Sequence, residues 1–153
     1  MQYIHVVNGD VAGATLKQAL AQAGRPDSVV VLRDDLAVYA PPGADVTVGP
    51  AHWGPWLLFP ASSRTRTAIE RRLRELGAPL VVAMESHQPE VLVEMVQLGF
   101  GWTVLPTAQA EHGAHRLSRA MAEPLLTRTI SAVTRRGGAT HPAVAPFVKE
   151  LRG

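Results

Sequence analysis

The apolar positions of this chain fall into short runs, and between the runs they recur every three or four residues. Tyr3–Val7, Ser28–Leu32, Leu36–Ala40, Trp56–Phe59, Leu80–Met84 and Trp102–Leu105 have the length and near-continuous hydrophobicity of strands buried on both faces of a parallel sheet. A helix carrying Leu16, Leu20 and Ala23, closed by Gly24, joins the first two runs into a βαβ unit with a right-handed crossover. A second helix runs from about Arg64 to Leu76, with Ile69, Leu73 and Leu76 at i, i+4 and i+7 and Gly77 as its stop. A third has Pro89 in its first turn, buries Val91, Leu92, Met95, Val96 and Leu98, leaves Glu90 and Glu94 wet, and stops at Gly99. Leu126–Arg135 alternates only partly and reads as an outer or partly exposed strand. The stripe Val144, Phe147, Val148 and Leu151 predicts a last helix, capped by Thr140 or His141 and kinked or delayed by Pro146. The resulting fold class is α/β, a mostly parallel sheet flanked by helices.

Length and charge narrow this picture without changing it. A chain of 153 residues with 46% hydrophobic content is the size of one ordinary domain. A formal charge of +2 and a pI near 9.5 call for no nucleic-acid partner. With no cysteine, disulfides, thiolate catalysis and cysteine-based metal sites are excluded. The amino terminus lacks a signal-peptide pattern and no run has membrane-spanning length, so a soluble, cytoplasmic protein with no membrane partner is expected.

The best pocket candidate is PWLLFPASSRTR at 55–66, where a strand meets a proline, two serines and a helix opening with two arginines. Ser62 or Ser63 can cap the first turn, yet Arg64 and Arg66 add positive charge where the helix dipole is already positive. An anion there would relieve both, and serine hydroxyls, backbone N–H groups and arginine forks suit a carboxylate, sulfate or phosphate. A solvated arginine-rich helix accounts for the same residues about equally well. Ser86–His87 forms a second strand-to-helix edge that could face the same crevice. Other candidates are weaker. Gly9 and Gly13 fall short of a dinucleotide fingerprint; Asp34 and Asp35, which with Arg33 lead into the Leu36–Ala40 run, would point to opposite faces as strand neighbours and suit turn and capping roles instead. His112 and His115 with Glu111 lack a third strong ligand and read as surface residues, so no metal is assigned. Trp53 reads as a cover for the core. No G-x-S-x-G elbow is present, Ser86 and His87 are merely adjacent, and no enzymatic activity or cofactor is expected.

From about Leu36 onward, PWLLFPASSRTR at 55–66, VVAMES at 81–86, VEMVQLGFGWTVLP at 93–106 and TRTISAVTRRGGATHPAVAPFVKEL at 127–151 occur in an order that resembles the effector-binding domain of LysR-type transcriptional regulators, above all its second lobe. The resemblance implies a periplasmic-binding-protein-like lobe that binds small organic effectors, often carboxylates. Carried over residue by residue, Ser63, Thr65 and Arg66 match the polar helix opening, and Glu85 and Ser86 match the next strand end. Ser62 and Arg64 stand where the family often has glycines, which makes the pocket narrower or more cationic. The expected ligand set is therefore Ser62, Ser63, Arg64, Thr65, Arg66, Glu85 and Ser86. The winged helix-turn-helix of family regulators and most of a first lobe are not found before this point, so DNA binding is not expected of this chain by itself. Residues 1–35, with YIHVVNGDVAGATLKQAL and VVVLRDDLAV, are similar instead to the start of a bacterial domain family of unknown function. A single α/β domain is expected, with an opening of distinct origin at 1–35, a second-lobe-like part at 36–135 and a closing helix at 136–153, as a fusion, degenerate regulator or chimera would give. The competing expectation is a non-catalytic structural or interaction domain that self-associates as a homodimer.

Overall fold

A computed structural model of the chain describes residues 4–7, 27–114 and 116–134. The helix expected over Leu16–Ala23, the Asn8–Asp10 turn, Gly13, His115 and the closing helix lie outside these residues. The chain divides into two compact units, Asp35–Leu126 and a second made of Met1–Asp34 with Thr127–Gly153.

In the second of these, strand β1 (Ile4–Val7) pairs antiparallel with β7 (Leu126–Thr134), Ile4 opposite Ala132 and Val7 opposite Thr129. The strand order β1-β7-β2 places β7 between β1 and β2 (Asp27–Ala40), so the strand read as an outer one has a neighbour on each side, and the first two strands are not adjacent. Strand β2 is also one continuous strand of 14 residues, where Arg33–Asp35 had suggested a break. Asp34 is half-buried and takes the Arg128 guanidinium, Nη2 to Oδ2 at 2.6 Å and Nε to Oδ2 at 2.8 Å. That pairing uses Asp34 as a clasp between β2 and β7 rather than as an acid-base group.

The Asp35–Leu126 unit has three layers. Strand β3 (Trp56–Leu58) lies between β4 (Val82–Glu85) and β5 (Trp102–Pro106), parallel to both, while β2 joins the far side of β5 antiparallel, and the short β6 (Ser118–Arg119) pairs antiparallel with the end of β2. The sheet is therefore mixed, parallel at its centre. Period-two alternation sends Leu36, Val38, Trp56, Leu58, Trp102 and Val104 to one face and Ala37, Tyr39, Leu57 and Leu105 to the other. Helix α1 (Arg64–Glu75) covers the first face with Ile69 and Leu73, both fully buried, each contributing about 1.5–3 kcal/mol by removal from water. Helices α2 (Pro89–Gln97) and α3 (Thr107–Ala110) cover the second with Leu92, Val93, Val96 and Ala110. The stops expected at Gly77 and Gly99 hold: each has positive φ, +79° and +85°, just past its helix, a backbone state in which a Cβ is costly. Trp53 is buried and stacks on Trp102 with ring centroids 5.6 Å apart, the covering role expected of it.

The irregular stretch after β5 is tied down by a polar cluster. The Tyr39 hydroxyl, buried in the second face, donates to Glu111 Oε1 at 2.7 Å, and the Arg119 guanidinium grips both oxygens of the same carboxylate, Nη2 to Oε2 at 3.1 Å. Burial and then the Glu111 contact push the Tyr39 hydroxyl far up, while the Arg119 hydrogen bond holds Glu111 below the usual carboxylate range. A carboxyl whose folded-state pKa is depressed adds stability that is complete above the unfolded value, about pH 4, and is lost as pH falls through the folded value. Thermal melts taken downward from neutral pH should accordingly show a shallower acid-side fall in Glu111→Gln than in the parent. Parallel curves would assign the acid sensitivity elsewhere.

Candidate functional site

Because β3, β4 and β5 are parallel, their carboxyl ends lie along one edge of the Asp35–Leu126 unit, and the chain leaves that edge into α1, α2 and α3 in turn. Open α/β sheets bind ligands at such edges, where the helix amino ends point. The expected ligand residues gather here. Ser62, Ser63, Arg64, Thr65 and Arg66 open α1, and Glu85 and Ser86 close β4, with Glu85 in register with Leu58 of β3.

Of the two serines offered as caps, Ser63 has the part: its backbone is extended at φ −76° and ψ 131°, and its hydroxyl accepts the Arg66 N–H at 3.5 Å. Ser62 is exposed beside it. Ser86 mirrors this at the next edge. Its N–H donates to the Leu58 carbonyl at 3.1 Å and its hydroxyl accepts the Gln88 N–H at 3.1 Å, which turns the chain into α2, with Pro89 in the first turn as the sequence predicts.

Arg66 has the most contacts. The residue is only 5% exposed, Nε donates to Glu70 Oε1 at 2.6 Å, and Nη1 donates to the Phe59 carbonyl at 2.6 Å and to Glu85 Oε1 at 2.9 Å. Burial by itself would lower its pKa, but the hydrogen bonds it donates to the Glu85 and Glu70 carboxylates outweigh that and raise it, so the guanidinium stays charged. Glu70 accepts a further bond from Arg74 at 2.9 Å, and Arg71 and Arg72 both pair with Glu75. Arg64 is exposed and, unlike the other arginines of α1, has no carboxylate paired with it among the described residues. No acidic residue occupies the first turn of α1. The amino end of this helix therefore combines the positive end of the dipole, a capping serine, an exposed second serine and an uncommitted cation. Glu70 belongs to this network, although nothing in the sequence sets it apart from the other polar positions of an amphipathic helix except one spacing. Its spacing of four residues from Arg66 was the available signal.

His112 is exposed, and among the described residues no group of three His, Cys, Asp or Glu side chains could hold a metal ion. Nor does any described helix have the length and apolarity to cross a membrane.

Comparison with known proteins brings in a family. The model of the LysR substrate binding domain matches residues 10–153, a span that starts well inside the opening segment and runs through the junction near residue 36. No curated protein sequence matches the chain. Among solved structures, the CcmR regulatory domain of Synechocystis PCC6803 in complex with 2-PG is similar at TM-score 0.67 and 18% identity, over 83% of this chain and 65% of that one. The cofactor-binding domain of the Cbl transcriptional regulator is similar at TM-score 0.65 and 19% identity, over 86% and 61%. The effector binding domain of QuiR in complex with shikimate is similar at TM-score 0.62 and 14% identity, over 83% and 63%. The chain thus spans just under two-thirds of the length of these domains.

Proposed function

This chain belongs to the LysR substrate-binding domain family, and on that basis we propose that it binds a small organic anion at the edge where α1 and α2 begin. The observation that carries the reading is the exposed Arg64 at an amino end that has no acidic residue in its first turn. Ser62, Ser63, Arg64 and Thr65 line the α1 side, Ser86 lines the α2 side, and Arg66 and Glu85 stand between them. Binding here is by charge and hydrogen bonds, without bond making or breaking, and the role is that of a sensing module of a transcription regulator rather than of an enzyme. The ligand chemistry fits a carboxylate or phosphate head group, because the helix amino end, the serine hydroxyls and the Arg64 guanidinium can all donate to its oxygens.

Thermal melts with sulfate, phosphate, shikimate and 2-PG test this. A ligand present at about a hundred times its Kd adds about 2.7 kcal/mol, enough for a clear rise in Tm. At least one of these anions should give that rise, Arg64→Met should lower the affinity about tenfold and so cut the rise by about half, and added sodium chloride should erode it. Melting curves that no anion moves would sink the reading.

A further inference from the structure

We propose that Arg66 is a positioning residue, a latch that fastens the first turn of α1 to the end of β4 and acts on a bound anion only through Ser63 and Ser86. The proposal rests on the reading of this edge as an anion site, but the latch itself is a property of the ligand-free protein.

Three features carry it. First, the charge on Arg66 is already neutralised. It bonds Glu70 and Glu85, and since Glu70 also serves Arg74, two guanidinium groups and two carboxylates balance locally. A further anion on Arg66 would have to displace a carboxylate from a side chain that is only 6% exposed. Second, the bonds reach three elements. Nη1 alone bridges the Phe59 carbonyl, just past β3, to Glu85, the last residue of β4. Third, the two serines of the edge hang from this frame. Ser63 accepts the backbone N–H of Arg66 itself, and Ser86 follows Glu85 directly while its N–H holds the Leu58 carbonyl. A planar guanidinium can satisfy two carboxylates and a carbonyl lying in different directions, whereas a lysine ammonium presents its three donors from one point and lacks that span.

Amide hydrogen exchange on the ligand-free full chain reads the latch directly. Glu85→Ala changes a half-exposed side chain on β4, yet it should speed exchange of the Thr67 amide in α1, which is bonded to the Ser63 carbonyl, by about tenfold. Arg66→Lys should speed the Ser86 amide of the other element comparably, and the double variant should be no faster than Arg66→Lys alone. If Glu85→Ala leaves Thr67 unchanged, or if the two effects simply multiply, the latch is wrong. Arg66→Met combined with Glu85→Gln, which removes one charge of each sign, separates positioning from contact. Its sulfate affinity should fall while the dependence on sodium chloride keeps the parent slope, whereas Arg64→Met should flatten that slope. A flattened slope in the charge-balanced Arg66→Met, Glu85→Gln variant would overturn the proposal, because it would mean that Arg66 touches the anion. Should sulfate bind to no form of the protein while the exchange coupling holds, the anion reading falls and the latch stands.

Discussion

Trp56→Ala should lower the unfolding free energy by about 3–5 kcal/mol, the largest loss expected of any single change in the Asp35–Leu126 unit. Trp56 is fully buried on β3, the strand with parallel neighbours on both sides, and its ring meets Trp102 edge-on at 6.5 Å and 61°. Its indole N–H donates to the Pro79 carbonyl at 2.7 Å, so truncation leaves both a cavity and an acceptor deprived of its donor. The backbone N–H of the same residue donates to the Val81 carbonyl at 2.7 Å, which ties β3 to the segment leading into β4. The loss therefore falls on the strand whose far end carries the α1 edge. Urea unfolding followed by tryptophan fluorescence measures it, and a cost below about 1 kcal/mol would mean that the site collapses far more readily than its packing implies.

Gly101→Ala is the second. A Cβ at this position would stand 2.5 Å from the Pro55 carbonyl oxygen and 3.3 Å from Leu57 Cγ. The oxygen cannot step aside cheaply, because it accepts the Trp102 N–H at 2.8 Å and belongs to the chain entering β3. Adding one methyl group should cost about 2–3 kcal/mol, at the upper end for overpacking because the obstacle is backbone. The near-UV circular dichroism of the folded variant should also change, since Trp102 is the next residue and stacks on Trp53. An alanine variant as stable as the parent, with an unaltered spectrum, would show that the β3–β5 contact yields easily.

These two residues also mark how far the sequence can be read. The run Trp56–Phe59 announces a buried strand from its apolarity alone, and Gly77 and Gly99 announce helix stops, because these features depend on near neighbours in the chain. Nothing local distinguishes Gly101 from a turn glycine. Its contact with Pro55 exists only because β5 pairs with β3. The same holds for the break expected at Arg33–Asp35. A polar triplet reads as a turn, whereas Asp34 is kept in strand by a bond to Arg128, 94 residues away.

The amino end of α1 shows the division most clearly. Sequence by itself determined that a strand would give way to an amphipathic helix at Ser62–Arg66, that a serine would cap it, and that two arginines would sit against the positive end of the dipole. It also carried the family, through the order of four segments. Tertiary structure decided which arginine is committed. Arg66 finds Glu85, 19 residues on, and the Phe59 carbonyl, whereas Arg64, two positions earlier, faces outward. Both have the same chemistry and nearly the same local setting. What separates them is the direction of each side chain around the helix and the arrival of β4 beside one of them, and a pairing across the sheet leaves no trace in the pattern of near neighbours.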